Sequence, residues 1–280
     1  MLVPPHVHYG DFYTIDSSPT GGAGTSLTGG ASANTYGAWV QIGPASGFTY
    51  PVEWVTIELN TAFTAATTRN HYVDIGFGTD TSNVTVVVEK LCGSGATTNS
   101  GHMYFFPLQI PAGVNLYART QGTTASGTIK INLTTMGGNQ NPGTMPKVPS
   151  IKAIGATTAS TTGTAITMGA TGAEGAWAQI VASSAEDYAG FMIAGPFVVD
   201  TNMTTGPSYT FDVGMGASGQ EHVIGENLTK ATIFSASEDW VGWHLPTFVG
   251  VKAGTRICIR GSCSGTSEST ISAHLLCFTH

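Results

Sequence analysis

Five places in the 280-residue chain carry side chains at spacings that chemistry uses. Gly261-Ser262-Cys263-Ser264-Gly265 fits a G-x-C-x-G nucleophile elbow with Cys263 as the attacking thiol. An elbow needs a strand-to-helix turn, and here a strand pattern runs through a turn into another strand pattern, so a plain turn is expected. His6 and His8 in PPHVHYGD would share one strand face and offer two imidazoles to a metal, but no carboxylate or thiolate stands close enough in sequence to complete a site. Asp74 and Asp212, in YVDIGFG and TFDVGMG, have the hard oxygens that calcium takes. Calcium needs about six to eight such oxygens, and a turn-facing or hydrogen-bonded aspartate is the simpler expectation. The Gly-x-Gly of those strings lacks the third glycine and opening helix of a dinucleotide fingerprint, so Gly76 and Gly78 are expected to admit a neighbouring backbone or an aromatic ring. Glu186-Asp187 and Glu238-Asp239 are adjacent pairs, which on a strand point to opposite faces and do not make the facing carboxylates of a glycosidase. The expectation is a non-enzymatic protein with no catalytic residue, no cofactor and no metal.

The elements that hold these residues are repeated. YGAWVQIG at 36–43 returns as EGAWAQIV at 174–181, and YVDIGFG at 72–78 returns as TFDVGMG at 210–216, both 138 positions on. Tyr50 recurs as Tyr188. The offset then drifts upward, with AGVNLYART at 112–120 matching AGTRICIRG at 253–261, and SGTIKINLTTM at 126–136 matching ESTISAHLLCF at 268–278. Loop insertions between retained strands produce such drift, and the period suits a whole domain rather than a solenoid repeat. The expected organisation is an N-terminal arm at 1–11, a first domain at 12–137, a Gly/Pro linker at 138–150 and a second domain at 151–280.

Charged residues make up 10% of the chain, and Thr, Ser, Gly and Ala separate short apolar runs. Glu, Lys and Arg, the usual residues of a helix's solvent face, are scarce, while Thr, Val and Ile suit a pleated, half-buried surface. Alternation supports strands: Val114, Leu116 and Ala118 share one face, while Asn115, Tyr117 and Arg119 share the other. Ile129, Ile131 and Leu133 repeat the pattern after QGTTASG, which reads as a hairpin connection. Short strands at regular spacing predict an all-β fold of two tandem, duplicated, jelly-roll-like β-sandwiches.

Cys258, Cys263 and Cys277 crowd the last 23 residues. Cys258 falls outward between Arg256 and Arg260, whereas Cys277 falls inward with Ile271, Ala273 and Leu275; if those strands are neighbours, the thiols lie on opposite sides and stay free. No paired CxxC elements suggest zinc. Tyr36, Tyr50 and Trp54 are expected to be exposed, and Trp39 and Trp177 suit sheet packing as well as they suit a sugar platform. The net charge of −7, with ten scattered basic residues, argues against nucleic acid. No apolar run of membrane-spanning length occurs, and no secretory leader pattern opens the sequence.

The blocks FFPLQIPAGVNLYARTQG at 105–122 and HLPTFVGVKAGTRICIRGSC at 244–263 close each half with a strand, Ala-Gly, and a strand ending in arginine. They resemble the jelly-roll modules of tailed-bacteriophage virion proteins, in which an IPAG-x-x-L-x-x-R string is frequent. The second block departs from it, with Val251, Lys252, Ala253 and Gly254 where the first has Ile110, Pro111, Ala112 and Gly113. The resemblance implies a structural role on the capsid surface (decoration or head fibre) or in the tail, in a homo-oligomer with a trimer as first expectation, among other virion proteins. It also implies a chain that is made in the host cytoplasm and carried outside in the particle. A receptor- or carbohydrate-binding module taking a host glycan is the alternative. The candidate assembly or binding residues are Pro4, Pro5, His6 and His8 of the arm, the aromatics Tyr36, Trp39, Tyr50, Trp54 and Trp177, and the paired Arg119 and Arg260.

Overall fold

The computed structural model describes residues 12–15, 24–44, 46–60, 69–95, 101–137, 148–161, 163–195, 209–230, 242–244, 246–265 and 270–280. Every regular element among them is a strand. The first copy supplies β1 (Phe12–Ile15), β2 (Thr25–Thr28), β3 (Val40–Gln41), β4 (Val52–Asn60), β5 (Arg69–Gly78), β6 (Val84–Gly95), β7 (Gly101–Ile110), β8 (Asn115–Gly122) and β9 (Thr128–Gly137). The second supplies β10 (Ile151–Ile154), β11 (Thr164–Thr167), β12 (Ala178–Val181), β13 (Tyr188–Ala194), β14 (Tyr209–Met215), β15 (His222–Lys230), β16 (Gly242–His244), β17 (Ile257–Cys263) and β18 (Thr270–Thr279). Pro4, Pro5, His6 and His8 lie outside the described residues.

The first copy lays its strands in two sheets, β1-β9-β4-β7 and β3-β8-β5-β6, with β2 also on β9. Successive strands repeatedly change sheet, which is the two-layer jelly roll. The duplication holds at the level of register. Phe12 pairs with Met136 as Ile151 pairs with Phe278, so β10 stands to β18 as β1 does to β9. Strand β11 repeats β2 on the same edge, and β12-β17-β14-β15 repeats β3-β8-β5-β6. The QGTTASG segment is therefore not a hairpin. It carries the chain from β8 in one sheet to β9 in the other, because β8 pairs with β5 and β3 while β9 pairs with β1, β2 and β4. Strands β17 and β18 are likewise in different sheets, so the neighbour condition for their thiols does not hold; Cys92, Cys258, Cys263 and Cys277 are all thiols outside any disulfide.

Inward positions follow the alternation. Leu116, Ala118, Ile129, Ile131 and Leu133 join the first core, and Ile257, Ile259, Ile271, Ala273 and Leu275 join the second. The two cores are not separate in space, however. Met192, Ala194, Leu276 and Phe278 of the second copy belong to the first copy's cluster, while Phe191, Ile193, Leu275 and Cys277, their neighbours along the same strands, belong to the second. Strands β13 and β18 are thus buried on both faces, and such strands read as continuous apolar runs.

Among the described residues, strand pairing joins the copies at two points. Strand β10 runs parallel to β6, with Ile151 opposite Val88, and so links the second copy's β18 sheet to the first copy's β3-β8-β5-β6 sheet. Strand β16 runs parallel to β7. Around the first joint, Lys152 pairs with Glu89 at 3.0 Å, Lys90 Nζ donates to the Ala156 carbonyl at 2.7 Å, and the Ser160 amide donates to Asn34 Oδ1 at 2.9 Å.

His274 closes the same joint. Its Nε2–H donates to the Lys90 carbonyl at 3.0 Å, and its ring meets Tyr72 edge-on. Burial, and secondarily the Lys90 charge, push the imidazole down to about 4 from an ordinary value of 6.5. The folded chain therefore holds His274 neutral where the unfolded chain would protonate it. Stability is fully present above pH 6.5, falls as pH drops through the window from 6.5 to about 4, and loses nothing further from this group below it. Denaturant midpoints measured across that window are expected to fall more steeply for the native chain than for His274→Gln, which keeps an N–H donor without a titration. Equal slopes would show that His274 is not the group responsible.

Candidate functional site

The residues that the sequence presents as separate candidates converge on the outer face of each copy's β5- or β14-centred sheet. Asp74 on β5 is opposite Arg119 on β8, and Asp212 on β14 is opposite Arg260 on β17. Alternation places all four on the face away from the apolar cores, and both aspartates are nonetheless buried. Arg119 grips Asp74 Oδ2 through Nε at 3.1 Å and Nη2 at 2.9 Å. Arg260 grips Asp212 Oδ2 through Nε at 3.0 Å and Nη2 at 2.7 Å.

The other carboxylate oxygen is used in both copies by a backbone amide. Lys90 N–H donates to Asp74 Oδ1 at 3.1 Å, and Asn227 N–H donates to Asp212 Oδ1 at 2.8 Å. Both donors have φ of 51°, the left-handed region, at the point where the pairing of β5 with β6 and of β14 with β15 slips register. Asparagine adopts that conformation readily and lysine does not. The buried carboxylate gives the bulged amide a partner that the ladder no longer supplies.

Above each arginine lies an indole. The Arg119 guanidinium is 4.5 Å from the Trp39 ring centroid and 4.2 Å from that of Tyr36; Arg260 is 4.6 Å from Trp177. A planar guanidinium that is bidentate to a carboxylate in its own plane leaves its faces free for this stacking. Trp39, Trp177 and Tyr36 are all half-buried. Tyr36 also donates its hydroxyl to Asp74 Oδ1 at 2.9 Å, and burial together with the Asp74 charge pushes its pKa well above the ordinary phenol range. Tyr36 is thus a structural part of the cluster and not a free exposed ring. The second copy has Glu174 at this position, with its carboxylate 3.5 Å from Arg260. Burial and the neighbouring Asp212 raise the Glu174 pKa against the lowering effect of Arg260.

Among the described residues, the three partners of Asp74 (the Arg119 guanidinium, the Tyr36 hydroxyl and the Lys90 amide) are all protein groups, and its oxygens are engaged in a clasp that ties the 36–41 segment, β5, β6 and β8 together. This arrangement offers neither a nucleophile with a base nor an open coordination position. The glycine expectation is met at Gly76 in its backbone form, since a Cβ there would meet the Thr85 carbonyl at 2.6 Å; in the second copy the approach is by a ring, and a Cβ at Gly214 would meet Trp177 Cη2 at 2.9 Å. Gly214→Ala should accordingly displace the Trp177 ring from Arg260 and cost about 1–3 kcal/mol, as overpacking does. Tryptophan emission and a denaturant midpoint would read the two effects together; an unchanged midpoint would mean that the ring adapts freely.

Cys258 lies on this outward face with Arg260, opposite Ile257 and Ile259 as its alternation places it, yet it is buried there, with Sγ 3.3 Å from the Gly214 carbonyl. Trp54 is a second correction. It stands on the outer face, out of phase with the core residues Val55, Ile57 and Leu59, yet its ring stacks on Phe105 at 4.6 Å between centroids and is 8% exposed. Tyr50 is exposed at 44% and lines an open pocket of about 440 Å³ with Pro44, Phe48 and Val52; its counterpart Tyr188 is buried. The pairing of Asp74 with Arg119 is legible only by combining two repeats, since these two are charged residues retained at matching places in both copies. Lys90 gives no signal of its own.

No protein-family model matches the chain, and no curated protein does. Among solved structures, the chain is similar to a cryo-EM structure of Broad Bean Stain Virus, with 6% identity, 91% of this chain and 87% of that one covered, and a TM-score of 0.34. It is also similar to the tandem CBM22-1-CBM22-2 domain of Paenibacillus barcinonensis Xyn10C, with 6% identity, 96% and 91% coverage, and a TM-score of 0.29. A third similarity is to Sulfolobus Turreted Icosahedral Virus, with 10% identity, 91% and 60% coverage, and a TM-score of 0.22. Likenesses at these scores carry no argument about function. The jelly-roll assignment rests on the strand order itself.

Proposed function

We propose that the chain is a non-enzymatic structural protein of a virus particle, placed on the capsid surface of a tailed bacteriophage as a decoration or head-fibre component, or in its tail, and working there as a homo-oligomer. The observation that carries this reading is the tandem jelly roll tied into one body by main-chain pairing, with the Ala-Gly and arginine block in the same place in each copy. A rigid double sandwich whose retained charged residues serve an internal clasp is suited to building rather than to turnover. Its sparse surface charge sets little repulsion against packing beside copies of itself.

The glycan-binding alternative has less to stand on at Trp39 and Trp177, because a guanidinium occupies one face of each indole. A sugar ring would have to stack on the other. Peptide mass spectrometry of density-purified particles, followed by cryo-EM location of the chain, tests the main reading. Recovery at a fixed stoichiometry on the head or in the tail supports it, and absence from purified particles overturns it.

A further inference from the structure

The joint between the two copies has an unused counterpart edge in each copy. In the internal joint, the edge of β6 receives β10, and the 155–161 turn of the second copy covers Tyr72 and Cys92 through Ala156 and Ala159. By register, β15 stands to β14 as β6 does to β5, and β1 stands to β9 as β10 does to β18. Yet β15 ends its four-stranded sheet and β1 ends its sheet, so neither outer edge is paired with a further strand among the described residues. The acidic residue of the joint is retained as well: Glu226 occupies the place of Glu89, is exposed, and makes no hydrogen bond or ion pair among the described residues. Unpaired edges of this kind are normally guarded or covered. The β1 sequence FYTI has no Lys or Pro to guard it.

We propose that these two edges meet between molecules: β1 of one chain adds in parallel to β15 of a second copy of the same chain, with Phe12 opposite Gly225 and Tyr13 beside Glu226, repeating the internal pairing of Ile151 with Val88 and of Lys152 with Glu89. The occupant is a second copy because the chain itself displays which element fits this edge. The contact is head-to-tail, so it closes into a ring or continues as an open array, and does not stop at a twofold dimer. Only this half of the internal joint can be repeated, since β7 is already flanked by β4 and β16. The inference does not rest on placement in a virus particle.

Cysteine trapping on the full-length chain tests it, and the four native thiols are buried and so give little background. Neighbouring parallel strands bring Cα atoms within disulfide range. Glu89→Cys with Lys152→Cys in one chain should close within the chain and calibrate the oxidation. A mixture of Tyr13→Cys chains and Glu226→Cys chains should then give a cross-linked dimer, while neither variant alone does, and the double variant should give a ladder or a closed ring. No cross-link from the mixture when the internal control closes would overturn the proposal. So would equal cross-linking by either single variant alone, which marks a twofold contact or random collision. Sedimentation of the native chain and of Glu226→Arg provides a measurement without thiols. The native chain should sediment as an oligomer, weakened several-fold in the variant, and a native chain that remains monomeric as its concentration rises refutes the head-to-tail contact whether or not the chain is found in particles.

Discussion

Asp74→Ala is expected to destabilise the chain by about 3 kcal/mol, and Asp212→Ala by clearly less. Removing Asp74 strands three donors at once: the Arg119 guanidinium, the Tyr36 hydroxyl and the Lys90 amide. The arginine side chain is 28% exposed and recovers part of its hydration, which keeps the cost at the lower end of that for breaking a buried pair. The amide cannot recover so easily, because its left-handed conformation was stabilised by the carboxylate and a lysine has no intrinsic reason to stay there.

In the second copy two differences soften the loss. Asn227 tolerates the left-handed region, and Glu174 already lies 3.5 Å from Arg260. Burial is the main cause of the raised Glu174 pKa and remains once Asp212 is gone, but the repulsion by Asp212 that adds to it is relieved, and this carboxylate can take over the guanidinium. Denaturant midpoints of the two variants give the order directly. Asp74→Asn, which keeps an acceptor but not the charge, should fall between the native chain and Asp74→Ala. In an Arg119→Met background the cost of Asp74→Ala should shrink, because no buried charge is then left unpaired. An Asp212→Ala cost equal to that of Asp74→Ala would show that Glu174 does not substitute.

The outline of the fold is legible in the sequence because a strand's side-chain period survives duplication. Leu116 and Ala118, Ile129 and Ile131, Ile257 and Ile259 can be placed inward from alternation alone, and the structure places them there. Sheet membership is not legible in the same way. QGTTASG has the composition of a hairpin turn, and nothing local distinguishes a turn within one sheet from a crossing between two; only the non-local pairing of β9 with β4 decides it. Trp54 fails for a different reason: alternation with Val55, Ile57 and Leu59 puts it outward, as the structure does, but its stack on Phe105 of the neighbouring strand buries it, and that contact depends on a non-local pairing. The clasp was visible as its parts, two aspartates and two arginines at repeated offsets, but the left-handed amide that completes it is a backbone feature.

One signal for the shared core does stand in the sequence, in the differences between the copies. Register equates Thr56 with Met192, Glu58 with Ala194, and Thr134 with Leu276. The first-copy residues at these places are polar and half-buried, and the second-copy residues are apolar and fully buried in the first copy's cluster. Polar-to-apolar exchange on one face of two neighbouring strands marks the face that gained a covering.

From this follows the second large effect. Leu275→Ala and Leu276→Ala, adjacent in sequence and pointing into different cores, should each cost about 2–5 kcal/mol, the usual range for emptying a fully buried leucine site. Each leucine is 0% exposed, with Leu275 in the second cluster and Leu276 in the first. Two independent sandwiches would respond separately, and each substitution would lower only one of two transitions. Here β13 and β18 are walls of both cores, and loss of either core removes the support that keeps these strands flat against the other. Both variants should therefore lower the same single transition, followed by the Trp39–Arg119 environment of the first copy and the Trp177–Arg260 environment of the second. Single-tryptophan reporters retaining only Trp39 or only Trp177, melted in each leucine background, would give coincident curves. Separate curves, with Leu275→Ala moving only the Trp177 signal and Leu276→Ala only that of Trp39, would show that the copies unfold independently despite the shared strands.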